Sequence, residues 1–528
     1  MLDLNSMLLW LVGASSLFAL LTMGRHYGRH AFKSLVAHLI VAILALYAGL
    51  LQPNWGGPVF AIWLLLVVAP ALAAQQLHQA LRLRQLPRAI HWGKVLGVLQ
   101  PWLHGFNQVR YLEFEQALDS QDPAAVQTRL AALTGSQPWE ARAQLELLRR
   151  RLRFDEIAEY FAKHPAAIRD PRLSALHVRA LGELGDLNAM WQAYSQLPAP
   201  MQRSSGLRLT VVALSGRPDL LHDLQGPLTT DDPNLWPFWY ASALQAAGES
   251  VQAAAILEHL LATNGRTAPA LLHRLRFPLS DQAPRNMDAS ARARLANLEQ
   301  AMSDERAMGG PSGQRRRPPR ATLALCALLA LTFVLSLPPD NRALEAHLID
   351  MGALVLPVHQ ASGPLLWRLF AAGVLHFGPA HLFTNMLGLW VLGRQVERLF
   401  SGAALCFVFF AASLSAMYLS VLLMTPAPHQ TITIVGASCG VMGLVGALLT
   451  FAALGHFITG NALSRQSLLQ LGLVVLMQTG MDLITPATSA QLHLSGAAAG
   501  AFWTLPLGLR YWLAQRHEQQ RSPTKSPR

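Results

Sequence analysis

His493-Leu-Ser-Gly496-Ala-Ala-Ala-Gly500 begins near the start of the last apolar stretch of the chain, at about 490–512, and its spacing governs the reading of what precedes it. On a helix, positions i, i+3 and i+7 share one face, so an imidazole is followed there by two sites without a side chain. Glycines so spaced let two membrane helices meet backbone to backbone. A matching stretch lies upstream in Gly436-Ala-Ser438-Cys-Gly440-Val-Met-Gly443, where an uncharged loop becomes the apolar run at about 435–454. Ser438 then sits near a helix N-terminus, below the outer surface yet open to water. His493 enters from the same side at similar depth. A serine hydroxyl is a weak nucleophile until a base takes its proton, and these two residues could supply both roles. In His376-Phe-Gly-Pro-Ala-His381-Leu-Phe-Thr-Asn385, His381 and Asn385 are four apart on one helix face, where both can donate to one small group.

Trp367-Arg368 precedes that third cluster, and Leu392-Gly393-Arg-Gln-Val-Glu397 follows it. The ordered set of Trp-Arg, His, His-x-x-x-Asn, Leu-Gly-x-x-x-Glu, Gly-x-Ser and His-x-x-Gly-x-x-x-Gly resembles the rhomboid family of intramembrane serine proteases, over about residues 321–512. The resemblance implies a six-helix core in which Ser438 is the nucleophile and His493 the general base and later acid, with no aspartate completing a triad. It implies an oxyanion hole made by the Ser438 backbone N–H and the side chains of His381 and Asn385. Trp367, Arg368, His376 and Glu397 take structural roles, and Gly436, Gly496 and Gly500 are motif glycines. The substrate would be a transmembrane protein, entering near the fifth core helix under a lid around Thr485-Pro486. Three positions depart from the family pattern. Cys439 stands where glycine is usual, Met442 where an aromatic often underlies the imidazole, and Leu492 where a small residue commonly precedes the histidine. A catalytically weak or inactive relative that binds transmembrane clients is therefore the alternative, as is a membrane-anchored repeat scaffold.

Composition agrees with a polytopic membrane protein. Of 528 residues, 52% are hydrophobic and only 14% charged, too apolar for a set of soluble domains. About 20 apolar helical residues cross a hydrocarbon layer about 30 Å thick. Stretches of that kind fall at about 7–23, 35–51 and 58–76, then at about 321–338, 374–393, 402–424, 435–454, 466–481 and 490–512. The expected class is all-α: a three-span membrane region (1–79), a cytoplasmic helical repeat domain (80–280), a basic linker rich in Pro, Gly and Arg (281–320), a six-span rhomboid-like core (321–514) and a basic tail (515–528).

The net charge of +12 marks orientation rather than nucleic-acid binding, because no aromatic-basic recognition motif accompanies it. Arg25, Arg29 and Lys33 follow the first stretch, and Arg82, Arg84, Arg88 and Lys94 the third. Arg315-Arg-Arg-Pro-Pro-Arg320, Arg394, Arg398, Arg465 and the tail continue the alternation, while loops 425–434 and 482–489 hold no Lys or Arg. Positive charge inside then places the N-terminus outside and the C-terminus in the cytoplasm. Arg342 and Arg368 fit least well. Anionic lipid is the expected neighbour of the clusters, and a bacterial inner membrane the expected location.

Between the two apolar groups, breaks at Leu152-Arg153-Phe154, Leu184-Gly185-Asp186, Ser215-Gly216-Arg217 and Ala247-Gly248-Glu249 recur every 31 to 32 residues. That period suits stacked helix pairs. Ala180-Leu-Gly-Glu-Leu-Gly-Asp186 with Trp191, Tyr194 and Pro198 resembles a degenerate tetratricopeptide repeat, which would offer a face for a cytoplasmic protein or peptide. A helical spacer without a ligand remains the other reading. Cys326, Cys406 and Cys439 form no pair with metal-ligand spacing, and no His-Glu-x-x-His is present, so no metal or cofactor is expected. Asp482, in Gly480-Met-Asp482, has no second aspartate to form an aspartyl-protease pair.

Overall fold

The computed structural model describes residues 28–521 apart from 102–105, 121, 225–233, 264–267, 309–317, 339–342, 361 and 485–488, with scattered residues before 28. The proposed lid at Thr485-Pro486, Arg342 and the tail beyond 521 lie outside the described residues. The described chain is almost entirely helical and divides into two compact units, one mainly of residues 8–303 and the other mainly of residues after 316 together with 304–310.

In the first unit, Gly56–Leu81 is long and apolar enough to cross a membrane, and the apolar helix Val36–Gly49 is shorter. Helix Ala69–Arg82 runs through the boundary expected at residue 79, and its Ala73, Leu77 and Ala80 pack with Ala89, Ile90 and Leu96 of helix Leu86–Leu99. Beyond it come paired helices. Pro171–Glu183 pairs with Leu187–Ser195, and Leu235–Ala246 with Ser250–Thr263. The four breaks expected from the repeat period contain Leu152, Gly185, Gly216 and Gly248, all with positive φ. A left-handed residue reverses the chain tightly after a helix, and glycine adopts it without strain. At Gly216 a Cβ would also lie 3.0 Å from the Ala246 carbonyl carbon, a tight backbone contact on top of the strain of a positive φ.

The expected linker is corrected over much of its length. Gln282–Arg285 and Ala289–Ala307 are helices, and Ala291, Leu295, Leu298 and Met302 are buried with Trp191, Leu209 and Leu214. Those four residues recur every three or four positions, the stripe of a packed helix. Composition rich in Arg, Pro, Gly and Ser hid it. Arg217 also binds Glu299 through two hydrogen bonds of 3.2 Å.

In the second unit, Gly402–Leu423 and Ser438–Thr459 are long and apolar enough to cross a membrane, and the apolar helix Arg320–Leu335 is shorter. Helices Pro379–Gly388, Ala462–Ile484 and Ala490–Arg521 cover the other expected stretches. Ser438–Thr459 packs against Gly402–Leu423, Ala462–Ile484 and Ala490–Arg521, and so lies at the centre of the unit. One feature departs from all-α: Leu354–Leu356 pairs antiparallel with Ile432–Ile434, Val355 opposite Thr433. This ribbon pins the chain just before Ser438.

Candidate active site

The turn before Ser438 is built on Gly436. Its φ of +133° lies where side chains are strained, and a Cβ there would meet His381 Cε1 at 2.7 Å. Its N–H donates to the Ala372 carbonyl at 2.8 Å, so ribbon and turn together fix where the helix starts. Ser438 is the first residue of Ser438–Thr459 and half-buried. The free N–H groups of a first helical turn favour negative charge, as on the oxygen of a tetrahedral intermediate.

The last helix meets the serine helix along a seam without side chains. A Cβ on Gly496 would lie 2.4 Å from the Cys439 carbonyl oxygen, on Gly500 1.9 Å from that of Gly443, and on Gly446 1.9 Å from that of Ala497. The expected glycine face is thus the face of contact. His493 stands one turn before Gly496, and Ser438 one residue before Cys439. Among the described residues no hydrogen bond joins Ser438 to His493. Catalytic hydrogen bonds are often long without substrate and tighten when it binds.

His381 and Asn385 share helix Pro379–Gly388. Asn385 is buried, and its Nδ2 has no partner among the described residues. A buried amide N–H left unpaired is costly unless a ligand accepts from it. The His381 ring lies 5.1 Å from that of His376, whose Nδ1 is 3.1 Å from the Val374 carbonyl.

Three motif residues hold the frame. Arg368, on helix Leu365–Ala372, is buried, and its guanidinium donates to the carbonyls of Ser362, Ile349 and Ala353, which satisfies a charge held out of water. Trp367 packs over Gly352, whose φ is +109°. Glu397 accepts from the N–H groups of Ala321 and Thr322 at 3.0 and 2.9 Å and from the Thr322 hydroxyl at 2.7 Å, and so caps helix Arg320–Leu335.

The departures from the family pattern are accommodated by packing. The Cys439 thiol is buried, 3.7 Å from the Leu492 carbonyl, in a cluster with Ala416, Met417 and Leu492. Met442 packs with Val445 and Ala497, against Val474 and Val475.

The family resemblance provides no aspartate to complete a triad, yet the geometry brings one against His493. Asp482 Oδ2 lies 2.7 Å from His493 Nδ1, and Gln478 Nε2 donates to Asp482 Oδ1 at 2.9 Å. The sequence carried a signal for this pair: an acid near the end of an apolar helix, eleven residues before the histidine, with an amide one turn earlier. A single aspartate on an apolar helix does not by itself show which histidine it will meet.

The apolar helices describe an integral membrane protein, and buried polar side chains lie among them. Residues 364–510 match the family model described as Rhomboid domain. The chain is 26% identical over 219 residues to Rhomboid protease GluP of Bacillus subtilis, covering 42% of this chain and 41% of that protein. It is 29% identical over 154 residues to RHOMBOID-like protein 4 of Arabidopsis thaliana, covering 29% and 37%, and 28% identical over 144 residues to RHOMBOID-like protein 5 of the same plant, covering 27% and 45%. The matches thus span less than half the length of each relative. No solved structure matches the chain. Model and relatives together support the rhomboid family, and with it an intramembrane protease or rhomboid-like protein.

Proposed function

We propose that the protein is an intramembrane serine endopeptidase that cleaves transmembrane helices of other membrane proteins. The observation that carries the reading is the backbone seam between the serine and histidine helices. It brings Cys439 against Gly496, an approach that favours a meeting of the neighbouring Ser438 and His493. The Ser438 hydroxyl attacks the scissile carbonyl and gives its proton to His493. The Ser438 N–H, Asn385 Nδ2 and His381 donate to the oxyanion. His493 then protonates the leaving amine, and water attacks the acyl-enzyme with the same base. A substrate helix must lose local hydrogen bonds to enter, so helix-breaking residues near its outer end favour cleavage.

The finer organisation belongs to the same proposal: nine spans with the N-terminus outside, a bacterial inner membrane, and a tetratricopeptide-like domain that engages a cytoplasmic protein or the inner tail of the substrate. The test uses purified full-length protein and Ser438→Ala with a model transmembrane substrate in liposomes. Cleavage by the parent and its loss in the variant are expected. Equal cleavage by both, or none by either across several substrates, overturns the reading and leaves a client-binding rhomboid-like protein.

A further inference from the structure

We infer that Asp482 is a positioning residue for His493, so that the working unit is Ser438, His493 and Asp482 with Gln478 behind the carboxylate. The inference rests on the serine-protease reading for its catalytic consequence and on geometry alone for the pairing.

The Asp482 side chain is 0% exposed and that of His493 12%. A carboxylate so buried in an apolar bundle is costly unless its oxygens find hydrogen-bond partners, and here each has one within reach. Oδ2 lies 2.7 Å from His493 Nδ1 and Oδ1 accepts from Gln478 Nε2 at 2.9 Å. Gln478 and Asp482 are one turn apart on helix Ala462–Ile484, so the amide holds the carboxylate in one rotamer. Gln478 Nε2 also lies 3.3 Å from Nδ1. As an amide nitrogen that already donates to Oδ1, it is no acceptor for the Nδ1 proton. The carboxylate is therefore the acceptor that places the proton on Nδ1. Nε2 is left with a lone pair, the state a base needs to take the serine proton.

The proton account closes without a further reactant. The Ser438 Oγ–H proton moves to Nε2 as the Oγ–C bond forms. The imidazolium keeps its Nδ1–H on Asp482, which stays ionised. The Nε2 proton then passes to the leaving nitrogen as the C–N bond breaks. Met442 packs with Val445 and Ala497 in an apolar cluster, so its flexible thioether is a poor device for fixing a ring's rotation. The Asp482 hydrogen bond supplies that orientation from the neighbouring helix.

Asp482→Asn separates this role from a packing role. Gln478 Nε2 continues to occupy the Oδ1 position, so the asparagine turns its NH2 toward Nδ1. The ring then carries its proton on Nε2, the wrong nitrogen. With full-length protein in liposomes and a model transmembrane substrate, Asp482→Asn is expected to keep KM and the thermal midpoint while kcat falls by about 10²–10⁴-fold, as when a triad carboxylate is neutralised. Asp482→Glu restores part of the loss, because a carboxylate is again within reach. In 15N spectra of histidine-labelled protein, the His493 Nδ1 signal is expected to be pyrrole-like in the parent and pyridine-like in Asp482→Asn.

An unchanged kcat in Asp482→Asn, or the same Nδ1 signal in both proteins, overturns the inference. If Ser438→Ala cleaves as well as the parent, the serine reading falls and the catalytic consequence with it. The 15N comparison still decides the pairing in that case.

Discussion

Gly500 packs so closely on Gly443 that a Cβ built on it would lie 1.9 Å from the Gly443 carbonyl oxygen. The obstacle is backbone, and no side-chain rotation relieves it. Gly500→Ala therefore pushes the last helix away from the serine helix. The expected cost is about 1–3 kcal/mol of stability, the range for overpacking a well-filled interface. Activity should fall further than stability, since about 1 Å of misplacement in a reacting pair can cost about 10²-fold in rate. Thermal unfolding in detergent beside substrate cleavage measures both.

Asn385 carries a buried amide nitrogen without a partner among the described residues, consistent with a donor held ready for an oxyanion. Asn385→Ala should leave the thermal midpoint nearly unchanged and lower kcat by about 10²–10³-fold, corresponding to about 2.7–4 kcal/mol of transition-state stabilisation. A variant that melts early but turns over normally would give the amide a packing role instead.

Glu397 accepts three hydrogen bonds from the first residues of helix Arg320–Leu335. Glu397→Ala strands two N–H groups and a hydroxyl, with an expected loss of about 1–3 kcal/mol. Glu397→Gln should lose less, because its carbonyl oxygen still accepts while the charge at the helix N-terminus is gone. The ranking of the three thermal midpoints is the check.

In the helical unit before the core, Arg274 and Glu183 form an ion pair at 2.6 Å with both side chains 4% exposed. Arg179 lies 3.5 Å from the same carboxylate, and burial lowers its guanidinium to about 10, so it is still cationic at neutral pH. Glu183→Gln leaves two neighbouring cations without their shared anion. Removing one partner of a buried pair costs about 3–5 kcal/mol, and denaturant unfolding of the full chain should register a loss of that order. Glu183→Asp, which keeps the charge, should recover part of it.

Local patterns read well from the sequence wherever the information itself is local. Apolar runs marked most of the helices of the core, because a helix needs only its own residues to form. The four breaks of the middle region were visible as turn-forming residues at a regular period. The glycines of His493-x-x-Gly496-x-x-x-Gly500 named a contact face before its partner could be seen. The stripe of Ala291, Leu295, Leu298 and Met302 is local too, but polar composition around it masks it.

What the sequence determined by itself is therefore the class of helices, their apolar faces, and Ser438, His493, His381 and Asn385 as candidates. Pairing across the bundle was decided only by the tertiary structure. The seam joining Gly496 to Cys439, the guanidinium of Arg368 gathering three carbonyls, and the carboxylate of Asp482 on His493 each depend on how helices turn about their axes when they pack. Hydrophobicity brings such helices together without direction. Their rotation is set by backbone contact at glycines and by buried polar groups that must find partners, and those partners are settled once the whole bundle closes.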